Sequence, residues 1–198
     1  MDRNLSKFEA AIARFDTANS EDPNKEVFEG LEYPRELLYA RRMTAWLERL
    51  APDASAALKL AARSQHIRRW AIPRSRYPMD RLGYRKWRTD LGEFHASTAG
   101  DILRDVSYDE KTIGRVRSLL KKEKLKLDPE VQLLEDVICL VFLESYFSDF
   151  AKKHDEDKLI GIVRKTWKKM SPRGHQAAMG LELPPESRVI LEKALAGG

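Results

Sequence analysis

The sequence predicts an all-α fold: a single-domain helical bundle covering residues 1–198. Two observations carry this. Apolar residues recur at spacings of three and four along most of the chain, and no window alternates with period two for long enough to make a strand. The breaks between the periodic segments are short and hold residues that start or stop helices.

Leu5 to Ala18 reads as the first helix, with Phe8, Ile12 and Phe15 on one side. The run NSEDPN is a turn-rich break. Pro34 suits a first helical position, and a helix follows from Arg35 to Leu50, ending before Pro52. Asp53 and Ser55 are cap candidates for the next helix, which runs to about Trp70. Pro73 and Pro78 make Ile72 to Gly83 a loop. Tyr84 to Val106 forms a long helix with Trp87, Leu91, Phe94, Thr98 and Ile102 as its apolar stripe. Ser107 caps a helix that ends near Lys122. Asp128-Pro129 opens the most apolar helix, to about His154. Glu156 to Met170 is another, Ser171-Pro172 starts a short one, and Pro184-Pro185 precedes the last.

A chain of this length buries roughly 70% of its unfolded surface in one core. One cysteine, Cys139, excludes an intramolecular disulfide framework and favours a reducing compartment. The longest near-continuous apolar run, Val137 to Leu143, is too short for a membrane span, and MDRNLSKFEA does not resemble a signal peptide. The expectation is a soluble cytoplasmic protein with no membrane partner.

The charge is uneven. The 36 Lys and Arg exceed the 31 Asp and Glu by only five. From Met1 to Arg35, however, acids outnumber bases eight to five. Arg63 to Arg88 then holds nine bases and one acid, Lys111 to Lys126 seven and one, and Ala151 to His175 eight and three. Clustered cations attract phosphates and nucleic acid. The Lys111 to Lys126 block reads as a solvated helix face. The Arg63 to Arg88 block is Arg-rich and interleaved with Trp70, Tyr77, Tyr84 and Trp87, a combination suited to gripping phosphate.

Asp136 is the most informative carboxylate. It shares a helical face with Leu133, Val137, Leu140 and Val141, so it sits at or near the edge of an apolar interior. A carboxylate there must be paired, hydrogen-bonded, metal-bound or protonated. An ion pair with an arginine is one reading; a metal ligand or general base is the other. Glu135 points about 100° away, exposed or supporting its neighbour. His95 lies beside the stripe of its helix, and His66 follows the alanine-rich run AARSQ. His154 and His175 sit in charged contexts near helix ends, where solvent exposure is expected. His66, His95 and Asp136 together make a ligand set suited to Zn²⁺, Fe or Mn²⁺. Cys139 reads as a buried, inert thiol.

The phrases LLYARRMTAWL, LAARSQHIRRWAIPRSRYPMDRLGYRKWR, LEDVICLVFLE and DKLIGIVRKTWKKMSPRGH resemble the family catalogued as domain of unknown function 4202. That resemblance covers nearly the whole chain and implies no activity of its own. More distantly, the order of elements is similar to the HD-domain phosphohydrolases, all-helical enzymes that bind divalent metal. AARSQHIRR resembles the stretch holding their His-Asp pair, LEDVICL the stretch holding their last aspartate, and His95 an additional histidine of some members. The pair here reads Gln65-His66, and ELLYARRMTAWL has Tyr39 near the place of an early histidine, so only Asp136 carries over directly.

Two functions follow. The first is a metal-dependent phosphohydrolase acting on a nucleotide or a phosphorylated small molecule. It would use Mn, Fe, Zn or Mg held by His66, His95 and Asp136, with Asp136 and Glu135 as the catalytic carboxylates. The second is a non-catalytic module for RNA or another polyanion. Arg68, Arg69 and Arg74 are the expected phosphate-binding residues in both cases, and the second adds Lys165 and Arg173 from the later basic block.

Overall fold

The computed structural model of the chain describes residues 6–196. Among them it is mostly helical, with ten α-helices and one two-stranded antiparallel sheet. The chain divides into two compact units, residues 1–124 and 125–198. No helix among the described residues is long and apolar enough to cross a membrane.

The first unit opens with α1 (Lys7–Ser20), set by a capping box. Ser6 Oγ accepts the Glu9 N–H at 3.2 Å, and the Glu9 carboxylate accepts the Ser6 N–H at 2.9 Å. Leu5, the expected start of this helix, lies outside the described residues. The turn-rich break then leads into a hairpin that the sequence reading lacks. Strands β1 (Lys25–Phe28) and β2 (Leu31–Pro34) pair across Glu29-Gly30, both at positive φ as a type I′ turn requires. Neither strand buries a residue, so no alternating apolar face marked them.

Helix α2 (Arg35–Leu50) has Pro34 at its N-cap, which offers no side-chain bond. Buried Asp22 supplies one instead, accepting the Glu36 N–H at 3.0 Å. Helix α3 (Ala56–Ser64) stops six residues short of the expected Trp70. Arg68 adopts the left-handed conformation at φ 50°, and two single 3₁₀ turns follow, Arg69–Ala71 and Arg74–Arg76. Helix α4 (Arg81–Asp105) is capped by Asp80 and α5 (Glu110–Lys121) by Asp109, not by Ser107, which turns the chain at φ 62°.

Helices α3 and α4 pack on α5, and α2 packs on α3. Met43, Leu47, Leu58, Leu60, Ile67, Leu103, Ile113, Val116 and Leu119 form their shared core. The buried row of α4 is Trp87, Leu91, His95, Ala99 and Leu103, rotated from the expected stripe. Phe94, Thr98 and Ile102 are half-buried. That rotation carries His95 inside.

The second unit begins with α6 (Pro129–Val141), capped by Asp128 with proline at its first position. The sequence reading continues this helix to His154. In the structure a π turn over Phe142–Tyr146 interrupts it before α7 (Phe147–Ala151). Helices α8 (Glu156–Lys169), α9 (Pro172–Met179) and α10 (Pro185–Ala196) complete the unit. Val131, Leu134, Val137, Leu140, Phe147, Leu159 and Val163 fill its core, and Cys139 is buried.

Candidate anion-binding site

Three segments of the first unit line a half-open pocket of about 240 Å³. The turn after α3 contributes Gln65, His66 and Arg69. One face of α4 contributes Arg88, Gly92 and His95, at the spacings that align side chains along a helix. The C-terminal end of α5 contributes Lys121 and Lys122. The C-terminal end of a helix attracts cations because unpaired carbonyls gather there, and Lys122 closes the helix in the left-handed conformation. Gly92 keeps the wall low, since a Cβ there would meet nothing within 4 Å.

The histidines are fixed by hydrogen bonds that leave little choice of tautomer. His66 Nε2 lies 2.9 Å from Arg69 Nη1. A guanidinium nitrogen only donates, so Nε2 accepts and the ring proton sits on Nδ1. That Nδ1 faces Glu36 Oε2 at 3.3 Å, and the Tyr39 ring stacks on the imidazole at 4.0 Å. His95 Nδ1 lies 2.8 Å from the Ile67 carbonyl, which only accepts, so this ring too carries its proton on Nδ1. The two imidazole centroids are 5.9 Å apart.

Both rings are held neutral. Burial, then the charges of Arg69 and Arg88 nearby, push His95 down to about 3. Burial, reinforced by Arg69, His95, Arg88 and Lys122, drives His66 well below the ordinary imidazole value. Behind His66, burial raises the Glu36 carboxyl to about 7, against the pull of Arg69, whose Nε is 4.0 Å away.

The pocket is predominantly cationic. Arg69, Arg88, Lys121 and Lys122 line it against one carboxylate, Glu93, which pairs with Lys121 at 3.4 Å. Lys121 also reaches Glu123 at 2.8 Å.

The expected site residues divide between the units. His66, His95 and Arg69 come together at this pocket. Arg68 pairs with Glu21 and gives its backbone N–H to Asn19 Oδ1 at 3.0 Å. Arg74 donates to the Tyr77 and Asp80 carbonyls at 3.0 and 3.3 Å and so builds the loop before α4. Lys165 and Arg173 are exposed residues of the second unit. Sequence reasoning missed Arg88, Lys121 and Lys122. Both lysines stand in the block read as a solvated face, and their place at the very end of α5 was the available signal.

Asp136 belongs to the second unit, where its carboxylate caps the start of α9. Oδ1 accepts the Ser171 N–H at 2.8 Å and Gln132 Nε2 at 3.1 Å, and Oδ2 accepts the Ser171 hydroxyl at 2.5 Å. A Cβ on Gly174 would stand 2.7 Å from Oδ1, so glycine there makes room for the cap. No arginine takes part in these three bonds. Glu135 is buried, not exposed, with Lys169 Nζ 3.7 Å away. Among the described residues no group of three His, Cys, Asp or Glu side chains is arranged to hold a metal ion.

Several aromatics of the basic blocks are engaged internally. Trp87 is buried with its Nε1–H on the Ile72 carbonyl at 2.9 Å, and the Tyr77 hydroxyl donates to Asp90 at 2.8 Å. Trp167 stacks on His175 at 4.0 Å, and Phe150 lies 4.3 Å from His154. Both of these histidines are half-buried, where the sequence suggested exposure.

The family model described as "Domain of unknown function (DUF4202)" matches residues 9–191. The chain belongs to that family. The match spans all of the α3 turn, α4 and α5 that form the DUF4202 pocket, and also the Asp136 cap. No curated protein and no solved structure matches the chain.

Proposed function

We propose that the pocket of the first unit binds a small phosphate-bearing molecule. The observation that carries this reading is the convergence of Arg69, Arg88, Lys121 and Lys122, from three separate segments, on one cavity whose two histidines are neutral. Arginine forks and lysine ammonium groups are the usual partners of phosphate. The cavity of about 240 Å³ lies below the roughly 300–1,000 Å³ of sites that enclose drug-sized ligands, which favours a small guest over a polymer. Buried Trp87 argues the same way, since it has little surface to offer a splayed base.

The site is built for binding more than for proton transfer. A base is most effective with a pKa near the working pH, and His95, at about 3, is far from it. Glu36 is better matched but stands behind His66. A dication is a poorer guest here: four cations line the pocket, and His66 Nε2 already accepts from Arg69.

Calorimetric titration of inorganic phosphate in the presence of EDTA tests the reading. Binding is expected without metal, weaker as salt rises. Gly92→Leu, which fills the cavity from an open helix position, is expected to cut the affinity at least about tenfold. Binding only after Mn²⁺ or Zn²⁺ is added would overturn the reading in favour of a metal-dependent site.

A further inference from the structure

Four cations call for an anion, but two buried atoms at the same pocket call for something else. His95 is 4% exposed. Its Nδ1–H is spent on the Ile67 carbonyl, which leaves Nε2 with a lone pair and no hydrogen-bond partner among the described residues. The side-chain carbonyl oxygen of Gln65, a residue 6% exposed that lines the same pocket from the turn after α3, is likewise buried and unpartnered among the described residues. A buried acceptor left without a donor is costly, and native structures rarely keep two together unless something else satisfies them. The dianion of a phosphate monoester has no proton to give from its phosphate, and that of inorganic phosphate has one. Either phosphate satisfies the arginines and lysines and leaves at least one of the two acceptors as it was.

We infer that the ligand carries hydroxyl groups beside its phosphate, and that the pocket is specific for a sugar- or polyol-phosphate. This rests on the phosphate reading above and narrows it. The phosphate is held by Arg69, Arg88 and the two lysines at the end of α5. Hydroxyl groups of the same molecule donate to His95 Nε2 and Gln65 Oε1. The role of the Ile67 carbonyl is then to fix the tautomer: by holding the proton on Nδ1 it keeps Nε2 an acceptor. The cations that grip phosphate also oppose protonation of this ring, so the two halves of the site reinforce each other. A site with buried acceptors also rejects ligands that lack the matching hydroxyl, because those acceptors then stay unpaired.

Calorimetry on the full chain with ribose 5-phosphate, inorganic phosphate and ribose separates the possibilities. Ribose 5-phosphate is expected to bind at least about tenfold more tightly than inorganic phosphate, with ribose alone undetected. His95→Phe is expected to remove that preference, bringing the affinity for ribose 5-phosphate down to that for inorganic phosphate. The comparison in the unaltered protein stands even if the variant fails to fold. Equal affinity for ribose 5-phosphate and inorganic phosphate would overturn the hydroxyl inference and leave the anion site standing. No binding of either would overturn both.

Discussion

Replacing Asp136 by alanine is expected to destabilise the second unit by about 3 kcal/mol. The carboxylate accepts three hydrogen bonds, two of them from Ser171. Removing it leaves the Ser171 N–H and hydroxyl without their acceptor at the start of α9, and bonds to a charged acceptor are worth roughly 1.5–3 kcal/mol each. Asp136→Asn retains one carbonyl oxygen for the Ser171 N–H and is expected to cost less. Urea unfolding gives the total. Hydrogen exchange at the Ser171 and Gly174 amides locates the loss, and both are expected to exchange faster in the alanine variant. Unchanged stability, with loss of a bound metal ion, would mean that the carboxylate serves as a ligand and not as a cap.

The second large effect is a dependence of stability on pH with a maximum near 6.5. Three buried groups of the first unit set it. Unfolded, His66 and His95 protonate around 6.5 and Glu36 around 4.5. Folded, both histidines are depressed, so their contribution is present above 6.5 and is lost as pH falls. Folded Glu36 is raised to about 7, so its contribution is present below 4.5 and is lost as pH rises toward 7. Between 4.5 and 6.5 the unfolded chain takes up protons on both histidines that the folded rings resist, while the single proton on folded Glu36 works the other way. The two histidines outweigh the one carboxyl, so stability should fall on acidification, on the order of 1 kcal/mol per pH unit. Between 6.5 and 7 the sign reverses and stability declines slightly with rising pH. Glu36→Gln removes the opposing proton, so the acid slope should steepen and the decline above 6.5 should vanish. Urea midpoints of both proteins from pH 4.5 to 7.5 check this. Identical slopes in the two proteins would show that Glu36 is not protonated in the fold.

Much of the helical architecture was legible, because amphipathic spacing survives in single elements. Pro129, Asp128 and Ser171 marked helix starts where the structure has them. The hairpin was not, since Lys25–Pro34 buries nothing and leaves no alternating face. After α3 ends at Ser64 the chain reverses through the left-handed Arg68, and no sequence periodicity signals a non-glycine residue in that conformation. His66 and His95 were legible as candidates, and they share a pocket because α4 is rotated from its most obvious apolar stripe. Lys121 and Lys122 were hidden for the opposite reason: an alternating basic and apolar run looks like a solvated face until the helix end is placed against its neighbours. Asp136 was correctly singled out as a carboxylate that needs partners. Those partners are the Ser171 amide and hydroxyl and the Gln132 carboxamide, ordinary polar groups that no spacing rule ties to it.

The proposed anion pocket joins two neutral histidines to four cations. It is tested most directly by long-range ¹H–¹⁵N correlation of the imidazole rings at pH 7 while inorganic phosphate is titrated in EDTA. His66 and His95 should each show a protonated Nδ1 and an unprotonated Nε2, and both rings should shift as phosphate binds. Rings that stay unmoved by phosphate, but whose Nε2 signals move on addition of Zn²⁺, would contradict it.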